Sequence, residues 1–131
     1  MALKLFTGES GRARPLLVLN GFGAASADWD PSFIDRLASS DELILLNNRG
    51  IGGSTDDGQS FNIEKLADDT AHIIESLSIE RASVIGWSMG GFIAQACAVK
   101  YVDRVDKVVL LSTDLGGTEA DRASPDVVPA P

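Results

Sequence analysis

Ala82-Ser83-Val84-Ile85-Gly86-Trp87-Ser88-Met89-Gly90-Gly91 is the stretch that organises the reading of this chain. A short apolar run bounded by glycine reads as a buried strand, and the small-residue segment that follows reads as the start of a helix. Between them a serine has a glycine two residues away on each side. That spacing suits a backbone that must fold back sharply and lift the serine hydroxyl clear of the turn, because a side chain at either flank would block the close approach. The N–H of the next residue, Met89, and the helix N-terminus would then direct partial positive charge at an oxyanion forming beside Ser88.

Outward from this turn the chain alternates strands with helices, the pattern of a largely parallel sheet covered on both faces. Strands are expected at Leu3 to Phe6, Pro15 to Leu19, Glu42 to Leu46, Ala82 to Ile85 and Val105 to Ser112. The helix over Pro31 to Ala38 starts with Asp30 as N-cap and proline in its first position. A second helix, capped by Asn62 and running to about Leu77, repeats Ile63, Leu66, Ala67, Thr70, Ile73, Ile74 and Leu77 at helical spacing. Lys65, Asp68, His72 and Glu75 fall on its opposite side, so His72, the one histidine of the chain, is expected to face water. The helix over Met89 to Lys100 is rich in Gly and Ala and can lie close to the sheet. The fold class is therefore α/β: three αβα layers around a mostly parallel sheet of about five strands. Residues 1–117 form the expected core, and residues 118–131, rich in Gly, Asp, Ser and Pro, a flexible tail.

Composition narrows the function. With 131 residues, 44% hydrophobic and 23% charged, the chain fits one globular domain. A formal charge of -8 without a Lys/Arg cluster argues against nucleic acid or an anionic membrane as partner. The single cysteine, Cys97, lies in an apolar helical segment and reads as a small buried hydrophobe in a reducing compartment. No stretch suits a signal peptide or a membrane span, so a cytoplasmic location is expected. No His/Cys/Asp grouping has metal-ligand spacing, and no cofactor is expected. Gly21-Phe22-Gly23 lacks the third glycine of a dinucleotide fingerprint, Ser26 standing in its place.

Three motifs, in order and correctly spaced, resemble the N-terminal half of an α/β-hydrolase-fold protein of the serine esterase or lactonase-like branch. Gly86 to Gly90 matches the family's G-x-S-x-G nucleophile elbow. Asn20-Gly21-Phe22-Gly23 matches its His-Gly-x-Gly oxyanion loop with Asn20 in the histidine position. Asn47-Asn48-Arg49-Gly50-Ile51-Gly52-Gly53-Ser54 matches its Asp-x-Arg-Gly-x-Gly-x-Ser loop with Asn47 in the aspartate position. The resemblance implies that Ser88 is the nucleophile, that the backbone N–H groups of Phe22 and Met89 stabilise the oxyanion, and that Asp114 stands where some members place the acid. The other reading of Asp114 is a turn residue before Gly116-Gly117. The family's histidine follows the serine in the chain, and no histidine does so here. Arg49 and its glycines are expected to build a tight structural loop, and Trp87 either to line an acyl pocket or to pack.

The resemblance also implies a sheet order of first, third, second, fourth, fifth strand, which leaves Val105 to Ser112 at an edge whose unpaired backbone and apolar side chains invite pairing. A homodimer through antiparallel pairing of that strand is expected, together with a small ester-like substrate. Three functional readings follow: an esterase-like hydrolase with slow turnover working as an assembly, a catalytically silent assembly or binding module that keeps the pocket, and a truncated or engineered fragment of a longer hydrolase.

Overall fold

A computed structural model describes residues 3–6 and 14–116. Its five strands are β1 (Leu3–Phe6), β2 (Arg14–Leu19), β3 (Asp41–Leu46), β4 (Ala82–Trp87) and β5 (Val105–Leu111), and its helices are α1 (Pro31–Ala38), α2 (Ile63–Ser76) and α3 (Met89–Lys100). A single 3-10 turn over Ser26–Asp28, which the sequence pattern did not announce, precedes α1. The tail over residues 118–131 lies outside the described residues.

The sheet order is β1-β3-β2-β4-β5. β2, β3, β4 and β5 run parallel, and β1 joins antiparallel to β3, so the mostly parallel five-stranded sheet is as expected. Both faces of the central strands are covered. Leu17, Leu19, Ile44, Leu46 and Val84 point toward α2 and α3 and pack with Leu66, Ile74, Ile93 and Cys97. The alternate residues Leu16, Val18, Leu43, Leu45 and Ile85 point the other way, toward Ile34, Phe33 and Leu37 of α1. That alternation explains why β2 and β3 are continuous leucine-rich runs: a strand buried on both faces has no position left for a polar side chain. Each fully buried leucine contributes about 1.5–3 kcal/mol.

The helices start where the sequence places their caps. Asp30 Oδ1 accepts the Phe33 N–H at 3.0 Å, and Asn62 Oδ1 accepts the Lys65 N–H at 2.9 Å. On α2 the expected stripe is inside, with Ala71 added to it. Asp68, assigned to the solvent side, is only half-exposed because α3 reaches it: Lys100 Nζ lies 2.6 Å from its carboxylate, and the Tyr101 hydroxyl also donates to it. The contact ties the middle of α2 to the end of α3. Among the described residues no helix is long and apolar enough to cross a membrane.

These elements bring the C-terminal ends of β2, β3, β4 and β5 to one rim of the sheet. There the chain leaves each strand through the segments that begin at Asn20, Asn47, Ser88 and Ser112.

Candidate active site at the strand rim

Ser88 sits between the end of β4 and the first residue of α3, with φ 53° and ψ -117°. A non-glycine residue at positive φ is strained by about 1–3 kcal/mol, so something must hold it there. Three hydrogen bonds do. The Ser88 N–H donates to the Leu111 carbonyl at 2.9 Å; the Ser88 carbonyl accepts the Gly91 N–H at 2.9 Å and the Thr113 hydroxyl at 2.9 Å. The side chain itself is exposed and makes no capping bond. The backbone is thus pinned while the hydroxyl stays available at the N-terminus of a twelve-residue helix, whose dipole favours negative charge on it.

The flanking glycines are required by contact. A Cβ on Gly86 would lie 2.2 Å from the Gly90 carbonyl oxygen, and one on Gly90 would lie 2.4 Å from the Leu19 carbonyl oxygen. The strand and the helix therefore cross at backbone distance, as the spacing of the motif predicts. Gly91 is equally constrained, because a Cβ there would lie 2.4 Å from the Thr113 side chain.

Beside this turn lies the segment after β2. Among the described residues neither the Phe22 N–H nor the Met89 N–H has a hydrogen-bond acceptor, Met89 being the first residue of α3 and beyond the reach of intrahelical bonding. Phe22 holds its ring out, 87% exposed. Trp87 packs over Gly21, where a Cβ would come within 3.2 Å of the indole, and edge-to-face on Trp29 at 5.9 Å between centroids. Yet Trp87 keeps 39% of its surface, so it both packs and lines a hollow of about 160 Å3 with Trp29, Asn20 and Asp30. A second hollow of about 260 Å3 opens on the other side, walled by Met89, Phe22, Ile51 and Phe61. Ser88 lies in the chain between the two residues, Trp87 and Met89, that line them.

The motifs place Asn20 and Asn47 at the rim, but the bonds they make there are not readable from the sequence. Asn20, with no exposed surface, donates from Nδ2 to the Leu46 carbonyl at 3.1 Å and accepts the Trp29 indole N–H on Oδ1. Asn47 accepts the Ser26 N–H on Oδ1 at 2.6 Å and donates from Nδ2 to the Gly52 carbonyl at 3.2 Å. The signal was present as two asparagines ending adjacent apolar strands, since a polar residue there must find partners. Those partners come from distant loops and are not a matter of local pattern.

Arg49 fulfils its structural role. Its Nε and Nη2 meet the Asp69 carboxylate on α2 at 2.8 and 2.9 Å, Nη1 meets Asp57 at 3.0 Å, and its guanidinium lies 5.9 Å from the Phe61 ring centre. Bonding to Asp69 holds the Arg49 proton more tightly than usual; Asp57 titrates below the usual carboxylate range, first through the Gln59 N–H and then through Arg49. The guanidinium is committed to two carboxylates, which does not suit a phosphate cradle.

Asp114 lies on the same rim, next to the Thr113 that binds the elbow. Its Oδ1 accepts the Gly116 N–H at 2.6 Å and its carbonyl accepts from Gln95 at 2.7 Å, so it forms the turn that its alternative reading describes. His72 is exposed on α2, on the helix face turned away from α3 and the sheet. The structure brings Ser88, Met89, Phe22 and Asp114 to one rim and leaves His72 elsewhere. Cys97 is buried against the Ala67 carbonyl, and burial pushes its thiol up to about 12.

Residues 14–129 match the family model for the alpha/beta hydrolase fold. A poly(3-hydroxyalkanoate) depolymerase of Ectopseudomonas oleovorans is 37% identical over 102 residues, covering 78% of this chain and 36% of that protein. A pimeloyl-[acyl-carrier protein] methyl ester esterase of Pectobacterium carotovorum is 33% identical over 113 residues, covering 86% of this chain and 42% of that protein. Among solved structures, the enol-lactonase from Burkholderia xenovorans superposes with a TM-score of 0.79 at 28% identity, covering 86% of this chain and 43% of that one. The chain thus spans about two fifths of the length of the relatives it matches. With its elbow, its sheet order and this family match in agreement, the chain belongs to the alpha/beta hydrolase fold family.

Proposed function

We propose that Ser88 is the nucleophile of an acyl-transfer site for a small ester-like substrate, with the N–H groups of Phe22 and Met89 as oxyanion donors. The observation that carries this reading is the strained, hydrogen-bonded backbone of Ser88 beneath an exposed hydroxyl, φ 53° at a helix N-terminus. Strain of this kind persists when the surroundings over-determine it, and it concentrates at working residues. In the chemical step the Ser88 oxygen attacks the ester carbonyl as its proton passes to water, the two amides take up the developing charge, and the C–O bond to the leaving group breaks, the alkoxide taking a proton from water as the acyl-enzyme forms. Ester-acting relatives support the substrate class.

Among the described residues nothing stands in place to take the serine proton, so turnover by this chain alone is slow. A serine hydrolase stripped of one triad member still retains about 10³–10⁴-fold acceleration over water from its oxyanion hole and binding. Asp114 is the candidate acid, and with Oδ1 already bonded to Gly116 it must give up that turn contact or work through its other oxygen. Hydrolysis of p-nitrophenyl esters by wild type, Ser88→Ala and His72→Ala tests the reading. Turnover lost in Ser88→Ala alone supports a serine that works without His72. Loss in both makes His72 a base supplied across an interface, and no turnover in any of them favours a silent binding module or a fragment of a longer hydrolase.

The second reading, an assembly, rests on β5. It closes one side of the sheet with Val109 46% and Leu110 43% exposed. We propose homodimerisation by antiparallel pairing of β5 with its twofold mate. Such pairing sets the two Ser88 residues at opposite rims of the joined sheet, so each site keeps to its own oxyanion donors.

A further inference from the structure

The loop that carries the Phe22 amide is held at both ends by carboxamides, and the two ends are held differently. At its start Asn20, directly after the central strand β2, is fully buried and bonded to Leu46 and Trp29. At its far end, among the described residues, Asn47 is the side chain from another strand end that hydrogen-bonds to it, through the Ser26 N–H at 2.6 Å. Between these anchors the loop has an internal bond from the Ala24 N–H to the Gly21 carbonyl at 3.2 Å and one from the Ala25 N–H to Asp28 at 2.8 Å. Neither reaches outside the loop and its adjoining turn, so neither can set where the loop lies relative to Ser88.

The Asn47 slot is built for that one side chain. Its Nδ2 is spent on the Gly52 carbonyl, which fixes which end of the carboxamide faces Ser26, and its own carbonyl accepts the Ser54 hydroxyl at 2.6 Å. Gly52 is at φ +53°, and a Cβ there would lie 2.5 Å from Asn47 Nδ2. Backbone conformation and missing side chain at residue 52 both serve to admit this carboxamide, which is 7% exposed.

We infer that Asn47 is a positioning residue for the reaction at Ser88: by holding Ser26 it fixes the Gly21–Ser26 loop so that the Phe22 N–H faces the oxyanion. The inference rests on the acyl-transfer reading and goes beyond it, since Asn47 touches neither the serine nor the substrate. A displacement of about 1 Å in a catalytic group is enough to cost about a hundredfold in rate, whereas ground-state binding depends on it far less.

The test is the single-turnover acylation of Ser88 by p-nitrophenyl butyrate, in which the serine oxygen–acyl bond forms, p-nitrophenolate leaves and the serine proton passes to solvent. Wild type, Ser88→Ala, Asn47→Ala, Asn47→Asp and Ser26→Pro are compared, with thermal melting alongside. Ser26→Pro removes the donor N–H, and the hydroxyl with it, at the first position of the 3-10 turn, where proline is tolerated, and replaces the bond to Asn47 with a ring carbon; it keeps the question answerable should Asn47→Ala fail to fold. The acylation rate constant is expected to fall about 10- to 100-fold in Asn47→Ala and Ser26→Pro with the half-saturating ester concentration within about twofold of wild type. Asn47→Asp keeps an acceptor for Ser26 but turns a carboxylate oxygen toward the Gly52 carbonyl, so its rate constant is expected to lie between those of Asn47→Ala and wild type. Equal rate constants in wild type, Asn47→Ala and Ser26→Pro, with Ser88→Ala inert, would overturn the positioning role alone. A wild type no more reactive than Ser88→Ala would overturn the acyl-transfer reading and the role together.

Discussion

At the scale of single residues the molecule concentrates its constraints around Ser88. Three hydrogen bonds and three glycines whose missing side chains let backbones and Thr113 approach all serve one strained turn. Thr113 is the member of this set that can be altered without touching the strand. Thr113→Val keeps the shape and removes the bond to the Ser88 carbonyl, and should cost about 1 kcal/mol in denaturant unfolding while slowing ester cleavage. Gly90→Ala is harsher because it drives a methyl group against the Leu19 carbonyl; urea titration should show a loss of about 3 kcal/mol or failure to fold. The elbow itself was legible in the sequence because its demands are local: glycine, serine and glycine at fixed spacing between an apolar run and small residues. The asparagines stand in recognisable motifs, but their partners are not legible there. Asn47 bonds to residues 21 positions before it and 5 after it, and which partners it meets depends on how two loops fold over the rim.

At the scale of elements, the burial alternation on β2 and β3 and the caps of α1 and α2 follow from pattern alone, and both helices start where their capping residues stand. The short 3-10 turn was missed because three residues carry too little periodicity to read. Asp68 was misplaced for a related reason: its partners, Lys100 and Tyr101, come from another helix. Lys100, and after it Tyr101, holds the Asp68 carboxyl below its ordinary value. A depressed carboxylate stabilises the fold above its unfolded value of about 4 and loses that contribution as the pH falls through its folded value. Asp68→Asn should therefore melt below wild type at neutral pH, by less than about 1 kcal/mol for so exposed a pair, and the gap should close as the pH is lowered below about 4. For β5 the expected outcome is a monomer–dimer equilibrium in sedimentation velocity that Leu110→Lys shifts to monomer. A concentration-independent monomer for wild type would remove the pairing proposal.

At the scale of the whole molecule, a mostly parallel sheet delivers strand ends to one rim, and the residues of the proposed site meet there because that is where the chain must turn. In the proposed reaction the sheet supplies rigidity, the segments after its strands the oxyanion amides, and the strained serine the reactive atom. This chain carries these parts within about two fifths of the length of the relatives it matches, and the only histidine it has lies on another face. If the proposal holds, Ser88 is chemically distinct from every other hydroxyl in the chain. The most direct measurement is peptide mapping by mass spectrometry after brief exposure to p-nitrophenyl acetate. A single acetyl group on Ser88, absent from Ser88→Ala, is the predicted result; acetyl groups scattered over lysines, with the peptide containing Ser88 unmodified, would contradict it.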